Sequence, residues 1–292
     1  MQENFGEAAA LPTGVSGDEP GHETGEMRRL PGRWFRGFIL LASVVLTLPT
    51  GHGRASSDGA TGPGSDIDQV SVCNSCREFD RLNTLIRDGG MPEREARTRV
   101  VRLLTEIGEW YRRHGGERYD RSHWVFPLRG YSVKAVGGGR NHGYLPHGYD
   151  YFDGNRHLGH PSLDIFIQDR NRDNRDDRTG EYVAVLSISG GIVVSREPEW
   201  DSRSRLRGGN YLWVYDPSTD HLFYYAHLHT ISVAIGAIVK PGDTLGSVGR
   251  TGLNAYKKRS PTHLHLTVLS TTTASLLPVN IYRDLTHARS VE

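Results

Sequence analysis

Apolar positions along the chain fall into two regimes. Over residues 71–118 they recur at helical spacing. A first segment, Glu78 to Asp88, carries Phe79, Leu82, Leu85 and Ile86 on one face and stops at Gly89-Gly90. A second opens at Pro92, a residue suited to a first helical turn. Its stripe is Val100, Leu103, Leu104, Ile107 and Tyr111, the i, i+3, i+4, i+7 pattern of an amphipathic helix, and His114-Gly115-Gly116 ends it. The spacing predicts a helical hairpin. A hairpin of this size cannot bury both stripes within itself. It must dock on the domain C-terminal to it, as a brace or as a device that restricts entry to a neighbouring groove, or else on a partner.

From about His123 the period shortens. Runs rich in Val, Ile, Leu and Tyr alternate with Gly-rich turns: Ala184–Ile188, Ile192–Ser195, Tyr211–Tyr215, Leu222–Ala226, Ala237–Val239, Thr244–Val248 and His263–Leu269. Short strands at regular spacing with turn signals indicate an antiparallel β-sheet domain, placed over residues 122–285. Lys240-Pro241-Gly242-Asp243 has Pro and Gly in the order of a type II turn. The fold class expected is mainly β, preceded by a small α-helical hairpin.

The N-terminal end reads differently. Met1 to Glu26 has acidic but no basic side chains. A basic stretch, Arg28 to Arg36, precedes the apolar run Phe38–Leu48 and a small-residue site near Gly53-Arg54-Ala55. This describes a secretory signal peptide, with Met27 as the expected start. The run falls short of the roughly 20 apolar residues of a membrane span. Residues 1–55 are therefore read as leader and signal peptide and 56–70 as a polar linker, which predicts a secreted or periplasmic protein with no stable membrane association once the leader is removed. A net charge of +1 argues against nucleic acid as a partner. Cys73 and Cys76 are the two cysteines; no second pair exists to complete a zinc site, and export favours oxidation, so the pair is read as a local disulfide or idle thiols, with a redox-active pair as the alternative.

Candidate chemistry lies in three histidine-bearing segments. Gly159-His160-Pro161-Ser162-Leu163-Asp164 leads into the apolar Ile165-Phe166-Ile167, Tyr224-Tyr225-Ala226-His227-Leu228-His229 lies in the middle, and Thr262-His263-Leu264-His265-Leu266 comes last. On a strand His263 and His265 share one face while Leu264 and Leu266 take the other. Two imidazoles on a strand face plus a His and an Asp from elsewhere suffice for a catalytic zinc site, which uses three protein ligands and an open fourth position. In a chain with fourteen histidines neither HxH nor HxxxD is specific alone.

Their order is specific. His160…Asp164, Tyr-Ala-His227-Leu, the run from Gly236 through Gly242-Asp243, Gly246, Gly249 and Thr251-Gly252, and His263-Leu264-His265 together closely resemble the lysostaphin-type (LytM-like, M23) zinc metallopeptidases over roughly residues 124–284. The resemblance implies Zn2+ held by His160, Asp164 and His265, with His263 and His227 as catalytic residues flanking the metal-bound water. It implies a monomeric metalloendopeptidase that cuts peptide bonds, most often in bacterial peptidoglycan stem or cross-link peptides. The alternative is a catalytically silent LytM-like regulator that activates another wall hydrolase; such relatives usually lose ligands, whereas all five residues are present here. The helix-borne HExxH signature is absent, so a Glu base is not expected.

Several features depart from that pattern. Ser162 stands where Gly is frequent. His229 is read as a surface or substrate-contacting residue. Gly252–Pro261 is long and basic, and Gly137–His142 reads as a flexible groove wall from which Asn141 and His142 could reach the site. Asp169, Asn171, Asp173 and Asp177 have part of a calcium loop's spacing, but Asn174 and Gly180 stand where Gly and Glu are wanted. A self-paired charged loop is the competing reading.

Overall fold

A computed structural model describes residues 72–156 and 159–292. The leader and signal peptide expected over 1–55 and the linker expected over 56–70 lie outside the described residues. Among the described residues no helix is long and apolar enough to cross a membrane.

The helices of the hairpin are α1 (Asn74–Arg87) and α2 (Glu93–Arg113). The strands are β1 (Ser162–Phe166), β2 (Ala184–Leu186), β3 (Gly191–Glu197), β4 (Tyr211–Asp216), β5 (His221–Ala226), β6 (Leu228–Ile231), β7 (Ile238–Val239), β8 (Thr244–Val248), β9 (His263–Ser270) and β10 (Leu277–Pro278), and a short α3 (Tyr282–Leu285) comes after them. A seven-stranded sheet has the order β1-β9-β5-β4-β3-β7, with β10 also on β9; a three-stranded sheet has the order β2-β8-β6. The strand pairings are antiparallel, which agrees with the expected fold class. The periodicity missed β6 and β10, which are short, and caught β1 only as an apolar run.

Alternation along the central strands sorts side chains onto two faces. Leu212, Val214, Phe223, Tyr225, Leu264, Leu266 and Val268 enter one core, with Val185, Leu245 and Val248 of the small sheet. Tyr211, Trp213, Tyr215, Leu222, Ala226 and Leu269 enter a second core, with Phe79, Leu82, Ile86, Val100, Leu103, Ile107 and Tyr111 of the hairpin. The hairpin's stripes therefore cover the second sheet face. This is why the central strands read as near-continuous apolar runs: each is buried on both faces. One expectation needs correcting. Leu85 is 39% exposed, and Asn83, 5% exposed, takes the inward position beside Leu82 and Ile86.

Polar contacts fix where α1 sits. Ser195 Oγ and the Arg196 amide both donate to Asp80 Oδ1, at 2.8 and 3.1 Å. Asn83 Nδ2 donates to Ser195 Oγ (3.0 Å) and Tyr211 Oη (3.3 Å), and Asn83 Oδ1 accepts from Tyr151 Oη (2.8 Å). Cys73 and Cys76 form a disulfide at the first turn. The Pro241-Gly242 turn forms as expected, with Gly242 at φ +91° and the Asp243 amide bonded to the Lys240 carbonyl at 3.1 Å.

Candidate metal centre

β1, β9 and β5 lie side by side, and their register assembles the centre. Asp164 pairs with His265 across β1 and β9, and His265 pairs with Ala226 across β9 and β5. Because side chains alternate, His263, His265 and Thr267 leave β9 on the hairpin face, while Leu264 and Leu266 enter the opposite core. His227 comes directly after β5, and its φ of +63° lies in the left-handed region. The chain is held there by two glycines. A Cβ on Gly252 would lie 2.9 Å from His227 Nδ1, and one on Gly209 would lie 2.3 Å from the Thr251 carbonyl carbon. Close backbone crossing at 208–209 and 251–252 is thus what seats His227.

All five candidate residues come together. Two sets have ligand atoms close enough to hold one ion: His160, Asp164 and His265, and His227, His263 and His265. Asp164 Oδ1 lies 3.0 Å from His265 Nδ1, and its Oδ2 lies 3.4 Å from His160 Nε2 and 3.8 Å from His263 Nε2. The ring centroids of His227 and His263 are 4.9 Å apart, and those of His227 and His265 5.3 Å.

Outer contacts set the orientation of each imidazole. His160 Nδ1 donates to the Gly143 carbonyl (2.9 Å), His227 Nδ1 to the Thr251 carbonyl (2.8 Å) and His263 Nδ1 to the Pro261 carbonyl (2.8 Å). A carbonyl can only accept, so each Nδ1 carries a proton; in the neutral ring Nε2 keeps its lone pair, and it donates only in the imidazolium. For His160 and His263 the Nε2 is also the nitrogen nearest Asp164. His265 is turned the other way. Its Nδ1 faces Asp164, and its Nε2 lies 2.7 Å from Ser162 Oγ, which lies 2.5 Å from Thr267 Oγ1. Ser162 is fully buried and Thr267 nearly so.

The electrostatics reflect burial and this pairing. Burial alone would raise the Asp164 carboxyl, but hydrogen bonds from His160 and His265 outweigh it and hold the group well below the usual carboxylate range. The Asp164 bond raises His160 above its ordinary value against burial. Burial pushes His227 well down, with His263 and His265 adding to it, and pushes His263 down as well. A carboxylate facing imidazole nitrogens with available lone pairs is a donor set that fits zinc, and the carbonyl and hydroxyl contacts behind it are the outer contacts such ligands use.

The other flagged residues lie outside the cluster. His142 stacks on Tyr282 at 3.5 Å between centroids, and its neighbour Gly143 serves the site through its carbonyl. His229 is exposed and stacks on Tyr182 at 4.6 Å. In the charged loop, Asp169 accepts from the amides of Asp173 and Asn174 and from Thr262 Oγ1 at 2.6 Å. That last bond ties the loop to the residue before His263. Asp176 accepts from Arg178 and Tyr131. Sequence reasoning passed over Thr267 and Gly208-Gly209, which had a signal in the two-residue offset from His265 and in a Gly pair before a strand; Asp169 was singled out for its place in the acidic run, not for its bond to Thr262.

The floor beside the cluster is aromatic. Tyr224 lies 6.3 Å from His265 between ring centroids, Trp213 lies 4.5 Å from Tyr224, and Tyr151 lies 5.8 Å from Trp213. One recess of about 380 Å³ runs from the histidines over these rings to Asn83, Ile86 and Arg87 of α1.

Residues 176–276 match the sequence profile of peptidase family M23. His227, His263 and His265 lie within that match, and His160 and Asp164 precede it. No curated protein sequence matches the chain. Among solved structures, the catalytic domain of lysostaphin from Staphylococcus simulans is 24% identical, covering 49% of this chain and 88% of that one at a TM-score of 0.34. A protein assigned as a glycyl-glycine endopeptidase LytM from Ruminococcus gnavus is 20% identical, over 75% of this chain and 93% of that one, TM-score 0.38. A zinc-containing peptidase from Vibrio cholerae is 21% identical, over 56% of this chain and 39% of that one, TM-score 0.32.

Proposed function

On the premise that this chain carries an M23-type peptidase sequence over residues 176–276, we propose that it is an exported zinc metalloendopeptidase that cuts peptide bonds in peptidoglycan stem or cross-link peptides. The observation that carries the reading is the convergence of His160, Asp164, His265, His263 and His227 at one end of a single recess.

His160, Asp164 and His265 would hold the zinc, through the two nitrogens and the carboxylate that already face one another. This set is preferred to the three-histidine set because it places the buried carboxylate against the dication instead of leaving that charge beside it. Bound zinc supplies Lewis acidity toward a carbonyl oxygen and acidifies water. His263 and His227 then remain unligated, each with an Nε2 lone pair. One takes the proton from the attacking water, and the Nε2–H it then bears can donate to the developing oxyanion and pass the proton to the leaving amine nitrogen as the C–N bond breaks. The other, its Nε2 lone pair free, can accept a hydrogen bond from the water's second hydrogen and orient it. The carbonyls of Pro261 and Thr251 hold both rings in place as the proton moves. Tyr224 and Trp213 line the recess beside these rings and would screen one side of a bound peptide from water.

The test is to assay the zinc-loaded protein on purified peptidoglycan beside His263→Ala. New amino termini released by the wild type and absent with the variant support the reading. A wild type that carries stoichiometric zinc and releases nothing would point to the silent regulator instead.

A further inference from the structure

Asp164 lies on β1, at one edge of the large sheet, and His160 comes just before that strand. One strap of chain, residues 136–147, runs along this edge. Val136 and Leu145 pair antiparallel with Ile165 and His160. The Gly137 amide donates to the Asp164 carbonyl (3.0 Å), the Leu145 amide to the His160 carbonyl (2.8 Å) and the His160 amide to the Leu145 carbonyl (2.6 Å). A Cβ on Gly159 would lie 2.8 Å from the Leu145 carbonyl oxygen, so the strap lies flat against the residue before His160. The backbones of two candidate ligands are thus bonded to the strap. Its Gly143 carbonyl also accepts from His160 Nδ1 at 2.9 Å.

Between these anchors the backbone is strained. Gly138, Gly139 and Gly143 have φ of +98°, +64° and +74°, and Asn141 and His142, which carry side chains, are also left-handed at +52° and +55°. The turn closes on itself: a Cβ on Gly138 would lie 2.6 Å from the Gly143 nitrogen. Residues with a Cβ occupy that region at a cost, and strain of this kind persists only where the surroundings over-determine it. On either side of the crest, Val136 and Tyr144 pack on the sheet core. At the crest itself the His142 ring stacks on Tyr282, with centroids 3.5 Å apart and planes 13° from parallel. Tyr282 opens α3, which is fastened to the core by Ile281 and Leu285, each 1% exposed.

We propose that His142 and Tyr282 are positioning residues for His160. The stack holds the crest in its left-handed course and so keeps the adjoining Gly143 carbonyl on Nδ1. That bond leaves Nε2, the nitrogen nearest Asp164, turned toward the metal position. Without the stack the crest relaxes toward negative φ, the carbonyl beside it swings away, and the imidazole loses its fixed rotation. Neither His142 nor Tyr282 lines the recess, so both act through the strap and not on substrate. The word ligand rests on the zinc reading above.

The test uses the full chain. Zinc affinity is read by competition with a chromophoric chelator, and seating of the strap by hydrogen exchange at the Leu145 and His160 amides. His142→Asn removes the ring while keeping a residue that tolerates positive φ. Tyr282→Ala removes the other ring, and Tyr282→Phe keeps the stack, which needs a flat ring and no hydroxyl. Both ring-deleting variants should bind zinc roughly tenfold more weakly, the low end for loss of an outer ligand contact, and should exchange those amides faster. Tyr282→Phe should match wild type in both measurements. Melting curves establish that each variant is folded, and His142→Asn decides the matter alone if Tyr282→Ala is not. Faster exchange with zinc affinity unchanged would reduce the stack to a brace of the fold and overturn the proposal. Unchanged exchange in the ring-deleting variants, or a loss in Tyr282→Phe equal to that in Tyr282→Ala, would overturn it as well. A folded wild type that binds no zinc would remove the metal reading instead, and the exchange rates would then decide whether the stack seats the strap.

Discussion

Replacing Ser162 by Ala removes one hydroxyl from the second layer of the centre. That hydroxyl lies 2.7 Å from His265 Nε2 and 2.5 Å from Thr267 Oγ1, in a fully buried position. When His265 Nδ1 faces a cation, its Nε2 must carry the proton, and Ser162 Oγ accepts it while donating to Thr267. When Nδ1 instead donates to Asp164, the same hydroxyl can turn and donate to Nε2. Alanine can do neither, so a buried ring nitrogen loses its partner. A buried polar group left unpaired costs about 1–3 kcal/mol, and losing the outer partner of a metal ligand typically costs about 10–100-fold in affinity. The two ranges agree, since about 1.4 kcal/mol is a factor of ten. We expect Ser162→Ala to weaken zinc by about 10–100-fold in competition with a chromophoric chelator. Ser162→Gly, which opens space for a water in place of the hydroxymethyl group, should lose less. An Ala variant within about threefold of wild type, well under that range, would refute the reasoning and leave Ser162 as packing alone.

Three further outcomes concern other parts of the molecule. His265→Ala should lose stoichiometric zinc by elemental analysis, whereas His263→Ala should keep it and lose about 10²–10⁴-fold in turnover; equal zinc loss in both would show that the roles are wrongly divided. Leu103→Ala, at a fully buried position of the shared hairpin–sheet core, should cost about 2–5 kcal/mol in denaturant unfolding, and a change under about 1 kcal/mol would mean the hairpin is only loosely applied. His221 is buried beside Arg121, with Asp216 and Asp220 nearby, and burial with that neighbouring cation lowers its pKa. It therefore folds neutral: its contribution is complete above the unfolded value of about 6.5 and is lost as pH falls through the lowered folded one, so wild type should lose stability faster than His221→Gln in acid. Parallel pH profiles of the two would remove His221 as a cause.

Much of this was legible because single periodicities carry it. The HxH on a half-buried strand required one polar face and one apolar face, and β9 has them. The stripe on α2 required a partner surface, and the second face of the sheet is that surface. What the sequence did not expose depends on side chains meeting across long separations. Asn83 sits among apolar neighbours on α1, and only the docking of that helix on β3 shows that its amide joins Ser195, Tyr211 and Tyr151. Ser162 reads as a departure from the Gly of related sequences; its bond to His265, 103 residues away, emerges only once β1 and β9 are paired. The Leu85 error has the same origin. Helical spacing fixes a stripe to within one position, and the sheet decides which edge of the stripe is buried.

The central claim is that His160, Asp164 and His265 hold a zinc beside two unligated histidines and that this arrangement hydrolyses wall peptides. The most direct measurement is digestion of purified peptidoglycan by the zinc-loaded protein, with released fragments identified by mass spectrometry. The account predicts peptide-bond cleavage products that vanish on chelation, return with zinc, and are absent with His263→Ala. Intact peptidoglycan after incubation with fully zinc-loaded protein, or products that persist with His263→Ala, would contradict it.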